Sequence, residues 1–330
     1  MRRLLLLLLV VAGLSPGLLW RDGLPKEVYT QSIELLPLAL PGAADRRIGG
    51  SGGPLLTGAW QLKSPNFDFG SYSALVVPKP GILLSISDRG KYLRFGMPGS
   101  AAAGVEIGTV LPGSDSYKPL QDMESATRDP ASGRIWIGLE FSQAFLRLDP
   151  DFSRHRMIAP PEMRHWRANG GPEAMTRLRD GRFVVIAEQA IHWSDTSREA
   201  LVFARDPLDG GRPAKFRFTP PPGYDPSDMT QLPDGRVLIL LRGLKFFPPG
   251  FAVRLVMADP ADIKPGGDWP WRDVGELSSP IPMDNYEGLA ATGGENGGPL
   301  TLWLISDDNQ SKIIQRSLLL RFEWKPPALR

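Results

Sequence analysis

Five times between residues 73 and 307 the chain follows one plan: a polar or acidic start, a small and an apolar residue, a turn, and an apolar run ending in a polar or charged residue. The starts are Ser73, Glu124, Glu173, Asp228 and Glu287, and the runs end at Asp88, Glu140, Glu188, Arg242 and Asp307. Ser132-Gly133, Asp180-Gly181 and Asp234-Gly235, each followed by Arg, interrupt three of the units. These are hairpin turns, because a tight reversal needs residues that tolerate positive φ. The runs, such as Ile135–Leu139, Phe183–Ala187 and Val237–Leu241, are continuously apolar rather than alternating, as in strands covered on both faces. Strand pairs recurring every ~50 residues define a β-propeller, whose blades are sandwiched between their neighbours. The competing arrangement is a pair of β-sandwiches, which gives no reason for the charged positions to repeat.

The flanks, Gly58–Lys63 and Ser317–Trp324, carry material for one more blade, so the expected fold is all-β, a six-bladed propeller closed by strands from both termini. The expected organisation is an export segment over 1–20, a lead-in over 21–55 with one strand at Glu34–Leu40, and a propeller over 56–325. Arg2 and Arg3 precede the apolar run Leu4–Leu14, which Ser15, Pro16 and Gly17 break. That order is a signal peptide's, although without a clear A-x-A site an uncleaved anchor is the alternative. The body is expected to be periplasmic or secreted, or held at the membrane only through that anchor, and monomeric.

Composition narrows the chemistry. The chain has 38 Lys and Arg against 36 Asp and Glu with no basic block, which excludes a general nucleic-acid binder. It has no cysteine, so disulfides, thiol nucleophiles and thiolate metal sites are excluded, and its three histidines do not make a His-rich site. Gly49-Gly50-Ser51-Gly52-Gly53 matches G-x-S-x-G, yet Arg46-Arg47-Ile48 before it and Pro54 after it are not the strand and helix a nucleophile elbow needs. His165 near Trp166 and His192 beside Trp193 read as packing residues, and Pro220–Tyr224 as a rigid connector.

Equivalent positions of successive blades lie on a ring about the axis, so Glu124, Glu173, Asp228 and Glu287 are expected to converge at one end of the channel. Carboxylates ~5 Å apart repel by roughly 3 kcal/mol per pair at an effective dielectric of ~20, and a cation, protons or arginines must offset this. Oxygen ligands without His or Cys point to Ca²⁺ or Mg²⁺, Ca²⁺ being preferred. Glu124, Glu173, Asp228, Glu287, Asp88 and Asp307 are the candidate metal ligands. Arg89 and Arg242 are the candidate anion-holding groups, and Glu140 and Glu188 the candidate bases. The alternative is that the carboxylates cap neighbouring strands and accept backbone hydrogen bonds.

Several of these strings resemble a known family: Tyr72-Ser73-Ala74-Leu75 with Ile86-Ser87-Asp88-Arg89-Gly90; Asp122-Met123-Glu124-Ser125 with Gly133-Arg134-Ile135-Trp136; and Asn169-Gly170-Gly171-Pro172-Glu173-Ala174-Met175. Asp284-Asn285-Tyr286-Glu287-Gly288-Leu289 with Ile305-Ser306-Asp307-Asp308-Asn309 extends the match, which spans about residues 56–325. The chain resembles the phytase-like propeller family labelled "esterase-like activity of phytase". The resemblance implies an exported propeller distantly related to calcium-dependent propeller phytases, which bind phosphate over metal ions in the channel mouth. Two functions are open: a metal-dependent hydrolase of a phosphate ester or other small ester, or a non-catalytic propeller of the cell envelope binding a ligand or a protein.

Overall fold

The computed structural model describes residues 27–327 apart from 114–117, 193, 248, 295–297 and 312–313. The expected export segment, residues 1–20, lies outside the described residues. The lead-in carries β1 (Glu34–Pro37), which pairs antiparallel with β2 (Leu55–Lys63). The first blade is β3 (Tyr72–Lys79), β4 (Ile82–Ser87), β5 (Lys91–Gly96) and β6 (Val105–Thr109). The second is β7 (Met123–Arg128), β8 (Ile135–Leu139), β9 (Ala144–Leu148) and β10 (His155–Ile158). The third is β11 (Pro172–Arg177), β12 (Phe183–Ala187), β13 (Arg198–Phe203) and β14 (Ala214–Phe218). The fourth is β15 (Asp225–Gln231), β16 (Val237–Phe246), β17 (Pro249–Ala258) and β18 (Trp271–Leu277). The fifth contains β19 (Asn285–Gly293), β20 (Leu300–Asp307) and β21 (Leu318–Trp324), and runs in the order β19-β20-β21-β2-β1.

The fold is therefore a five-bladed β-propeller, and the expected sixth blade is corrected. The two flanks pair with each other, Gly58 opposite Arg321 and Gln61 opposite Leu318, and β21 also pairs with β20. The fifth repeat supplies two strands of its own, and the terminal strands complete that blade instead of starting another. Closure by strands from both ends of the chain is as the flanks suggest.

The continuous apolar runs have the expected cause. In β8, Ile135, Ile137 and Leu139 pack with Leu84 and Ile86 of the first blade, while Trp136 faces the third blade with Phe183 and Val185. In β12, Val184 and Ile186 turn the other way, onto Val237, Ile239 and Leu241. Leu238 and Leu240 meet Leu302 and Leu304, and Trp303 and Ile305 close the circle against Leu83 and Leu93. The described residues thus form five cores, each lying between two adjacent blades. Burying one such Leu, Ile or Val stabilises by ~1.5–3 kcal/mol, and every middle strand contributes to two cores. The hairpin after β11 turns on Gly181 at φ 91°, and the one after β15 on Gly235 at φ 93°, which a side chain would strain.

Candidate metal centre at the channel mouth

The innermost strands β3, β7, β11, β15 and β19 neighbour one another around the axis and start at the same end. Each carries a bulge at the same place in its register with the second strand: between Tyr72 and Ala74, Met123 and Ser125, Pro172 and Ala174, Pro226 and Asp228, and Tyr286 and Gly288. A bulge leaves one residue unpaired and re-aims its side chain. The residues so released are Ser73, Glu124, Glu173, Ser227 and Glu287. On the second strand, one step past the pair that precedes each bulge, come Asp88, Glu140, Glu188, Arg242 and Asp307. The backbone locks this second ring to the first, with Asp88 N donating to Ser71 O at 3.1 Å, Glu140 N to Asp122 O at 2.9 Å and Glu188 N to Gly171 O at 3.1 Å.

Both rings, except for the buried Ser227, open into one polar cavity of about 280 Å³ at the channel mouth. Its wall brings together Glu124, Glu173, Glu287, Asp88, Asp307, Glu140, Glu188 and Arg242 of the expected site residues, and adds Ser73, Asp122, Lys118, Asn169, Gln189 and Asn309. Two expected residues are not on that wall. Asp228 is fully buried one residue past the bulge; its Oδ1 accepts from Met229 N at 2.8 Å and its Oδ2 from Leu289 N at 2.7 Å. Asp228 therefore ties the fourth blade to the fifth, and Ser227 holds the ring position. Arg89 lies outside the cavity lining, its guanidinium 5.6 Å from the centre of the Phe67 ring. His165 is also elsewhere, with Nε2 3.0 Å from Glu199 Oε1.

The mouth divides into two electrostatic halves. On one side, Arg242 donates through Nη2 to Glu188 Oε1 at 2.8 Å, and through Nη1 to Glu287 Oε1 and to Asn285 Oδ1, the latter at 3.1 Å. Asn285 Nδ2 passes the network on to Glu287 Oε1 at 2.9 Å and Asp307 Oδ2 at 3.4 Å. Burial opposes the charge of Arg242, but Glu287, Glu173 and Glu188 outweigh it and hold the guanidinium more firmly protonated than usual. On the other side, Asp122, Glu124 and Glu140 each offer a carboxylate oxygen within 4.8 Å of the others. The nearest cation there among the described residues is Lys118, with Nζ 3.6 Å from Asp122 Oδ1 and a side chain 58% exposed.

Burial and mutual repulsion push these carboxyls upward. Glu140 is raised to about 8, first by burial and then by Glu188 and Asp122. Asp307 is raised to about 8 by burial and Glu287, and Asp88 to about 6 by the same two causes. Glu124 and Glu173 stand well above the carboxylate range, again through burial and then through their acidic neighbours. Glu188 is raised by burial although Arg242 pulls it down. Without a bound cation, part of this ring is neutral near pH 7.

The residue missed as a ligand candidate is Asp122. Its backbone sits at φ 51°, and this left-handed step before β7 brings its carboxyl round beside that of Glu124. The D-x-E spacing of Asp122-Met123-Glu124 was the available signal, but it points both acids into one cavity only when a bulge follows.

Fold and site together define a β-propeller with a carboxylate-lined channel mouth. The chain belongs to the phytase-like family described as "Esterase-like activity of phytase", whose model matches residues 68–310. No curated protein matches it. Among solved structures it is similar to a luciferin-regenerating enzyme at 13% identity, covering 88% of this chain and 95% of that one with a TM-score of 0.43. It is similar to a chain of a nidogen/laminin complex at 11% identity, covering 84% and 86% with a TM-score of 0.44. A third is the hydrazine synthase of Kuenenia stuttgartiensis, at 12% identity, 75% and 80% coverage and a TM-score of 0.41.

Proposed function

We propose that this propeller is exported and hydrolyses a phosphate ester or another small ester, using a divalent cation, Ca²⁺, held by Asp122, Glu124 and Glu140. One observation carries the reading: Glu188 and Glu287 are paired with Arg242, whereas those three face one another with, among the described residues, only an exposed lysine beside them. The donors suit a hard cation, being oxygens only, from two side chains of one strand entrance and one of its partner. The ion would supply positive charge for an anionic substrate and would lower the pKa of a water.

The remaining roles fall to the chain itself. Glu140 belongs to the cation set, which leaves Glu188 as the base, positioned by Arg242 at 2.8 Å and by Gln189 Nε2 at 3.3 Å. Lys118 stands at the exposed edge of the mouth, where it can meet an incoming anion. Arg242 acts by positioning Glu188 and Glu287 rather than by receiving the substrate. That engagement also favours a second reading, in which the mouth binds a cationic ligand or a metal-bridged partner without catalysis. Calorimetry with Ca²⁺ and a turnover screen of phosphate and carboxyl esters separate the two. Ca²⁺ binding and Ca²⁺-dependent turnover that fall together in Glu124→Gln support the hydrolase. Binding without turnover supports the second reading, and no Ca²⁺ binding rejects the metal centre.

A further inference from the structure

The channel has a second cavity, of about 530 Å³, at the end away from the mouth. It lies between the C-terminal halves of the five innermost strands and shares no lining residue with the mouth. Four residues at ~3.3 Å each put Arg128 roughly 13 Å along β7 from Glu124. The sign of the charge reverses over that distance. This lining contains no Asp or Glu, and its charged side chains are Lys79, Arg128, Arg177 and Arg179.

Arg128 feels the neighbouring Asp129 carboxylate without forming an ion pair with it, and Lys79 and Arg179 have no carboxylate partner among the described residues. Arg177 does, with Nη1 3.3 Å from Asp129 Oδ1, and the same carboxylate also receives the turn bonds of Ser132 and Ala131. Arg128 donates from Nη1 only to the Val77 carbonyl at 3.1 Å, and Arg179 from Nη1 to the Pro233 carbonyl. The Nε of Arg128 is shut away from solvent with no acceptor. A shielded guanidinium N–H without a partner is costly, and hydrogen bonds from the Nη atoms of Arg128 to an anion in the cavity would offset that cost. Burial also weakens the hold of Arg128 on its proton, which a bound anion would restore.

The arrangement is part of the repeat. Arg128 opposite Ile135, Arg177 opposite Phe183 and Gln231 opposite Val237 hold the same register position in successive blades. Gln231 Oε1 accepts the backbone N–H of Arg179 at 2.8 Å and so fixes the base of that side chain. Met229 and Leu289 make the wall beside them apolar.

We propose that this end of the channel binds a phosphate monoester, its dianionic head held by Arg128, Arg179 and Lys79 and its organic part against Met229 and Leu289. Three cations that form no ion pair among the described residues match a dianion better than a single carboxylate, and the planar guanidinium fork fits phosphate oxygens two at a time. The site needs no metal and does not rest on the reading of the mouth.

Phenyl phosphate titrated calorimetrically into the full chain in EDTA tests this. The expected result is saturable binding, weakened about tenfold or more by Arg179→Gln and by Lys79→Gln, with benzoate at least about tenfold weaker than phenyl phosphate. Both substituted side chains are exposed, so the blades stay folded. Arg128→Lys, which keeps the charge and removes the fork, should also weaken it, and Glu124→Gln should not. Absence of binding in EDTA overturns the proposal, as does binding indifferent to both Arg179→Gln and Lys79→Gln, or benzoate binding as tightly. Binding that returns only with Ca²⁺ and disappears in Glu124→Gln belongs to the mouth and equally overturns it.

Discussion

At the scale of single residues, one position of register separates a ligand from a strut. Glu124 occupies the bulge and faces the cavity, whereas Asp228 follows its bulge and faces two backbone N–H groups. Their substitutions should therefore act in opposite directions. Asp228→Ala leaves the Met229 and Leu289 amides without their acceptor, a loss of ~1–3 kcal/mol, while Ca²⁺ affinity stays within about twofold. Glu124→Gln removes a carboxyl that burial and repulsion disfavour, so the metal-free protein should unfold at higher temperature at pH 8 while Ca²⁺ affinity falls by roughly tenfold or more. Thermal unfolding in EDTA and Ca²⁺ calorimetry on both variants check the crossing. Equal loss of Ca²⁺ affinity in both would place Asp228 among the ligands after all. The two residues look alike in sequence because both are acids that open a repeat unit, and only the bulge distinguishes them.

At the scale of elements, the strands that are covered twice were the most legible part of the chain. Ile135–Leu139, Phe183–Ala187 and Val237–Leu241 are apolar at every position, and each falls in a different blade. Ile239 is fully buried between the third and fourth blades, so Ile239→Ala should cost ~2–5 kcal/mol of stability and leave the cation affinity of the mouth unchanged. Urea unfolding with parallel Ca²⁺ titration measures both, and a drop in affinity at unchanged fold would show that the inter-blade core positions the site. Less legible were the features that depend on local backbone geometry. The bulges that aim Ser73, Glu124, Glu173 and Glu287 have no signature in residue type, since Pro, Met and Tyr all precede them. The left-handed turn at Asp122 and the capture of Arg242 by Glu188 and Glu287 are likewise products of closure. The blade count failed for a related reason, because a strand that completes a blade and one that starts a new blade have the same composition.

At the scale of the whole molecule, the ring is closed by chain segments more than 250 residues apart, β2 lying between β21 and β1. Removing residues 27–63 would expose the edge of β21 and take away Leu56, Ala59 and Leu62, uncovering the core residues they pack with, Leu318, Leu319, Leu320 and Phe322, so the truncated chain should lose its cooperative thermal transition or aggregate, whereas retention of native Tm would show that closure contributes little. Closure also forces the mouth carboxyls together, which makes the stability of the whole ring depend on pH. Glu140 and Asp307, raised to about 8, and Asp88, raised to about 6, keep protons in the folded state that an unfolded chain, titrating near 4, would release. The folded chain thus binds more protons than the unfolded one between about pH 4 and pH 8, and over that interval stability falls as pH rises. In EDTA, Tm should be higher at pH 5 than at pH 8. Ca²⁺ requires the ionised carboxylates, so its saturating addition should raise Tm more at pH 8 than at pH 5, by about 2.7 kcal/mol of added stability at a hundredfold excess over Kd. Calorimetric scans at both pH values, with and without Ca²⁺, decide it. A Tm in EDTA that rises from pH 5 to pH 8 would mean that the internal pairing with Arg242 and Lys118 already compensates the ring, leaving the cation no electrostatic debt to discharge.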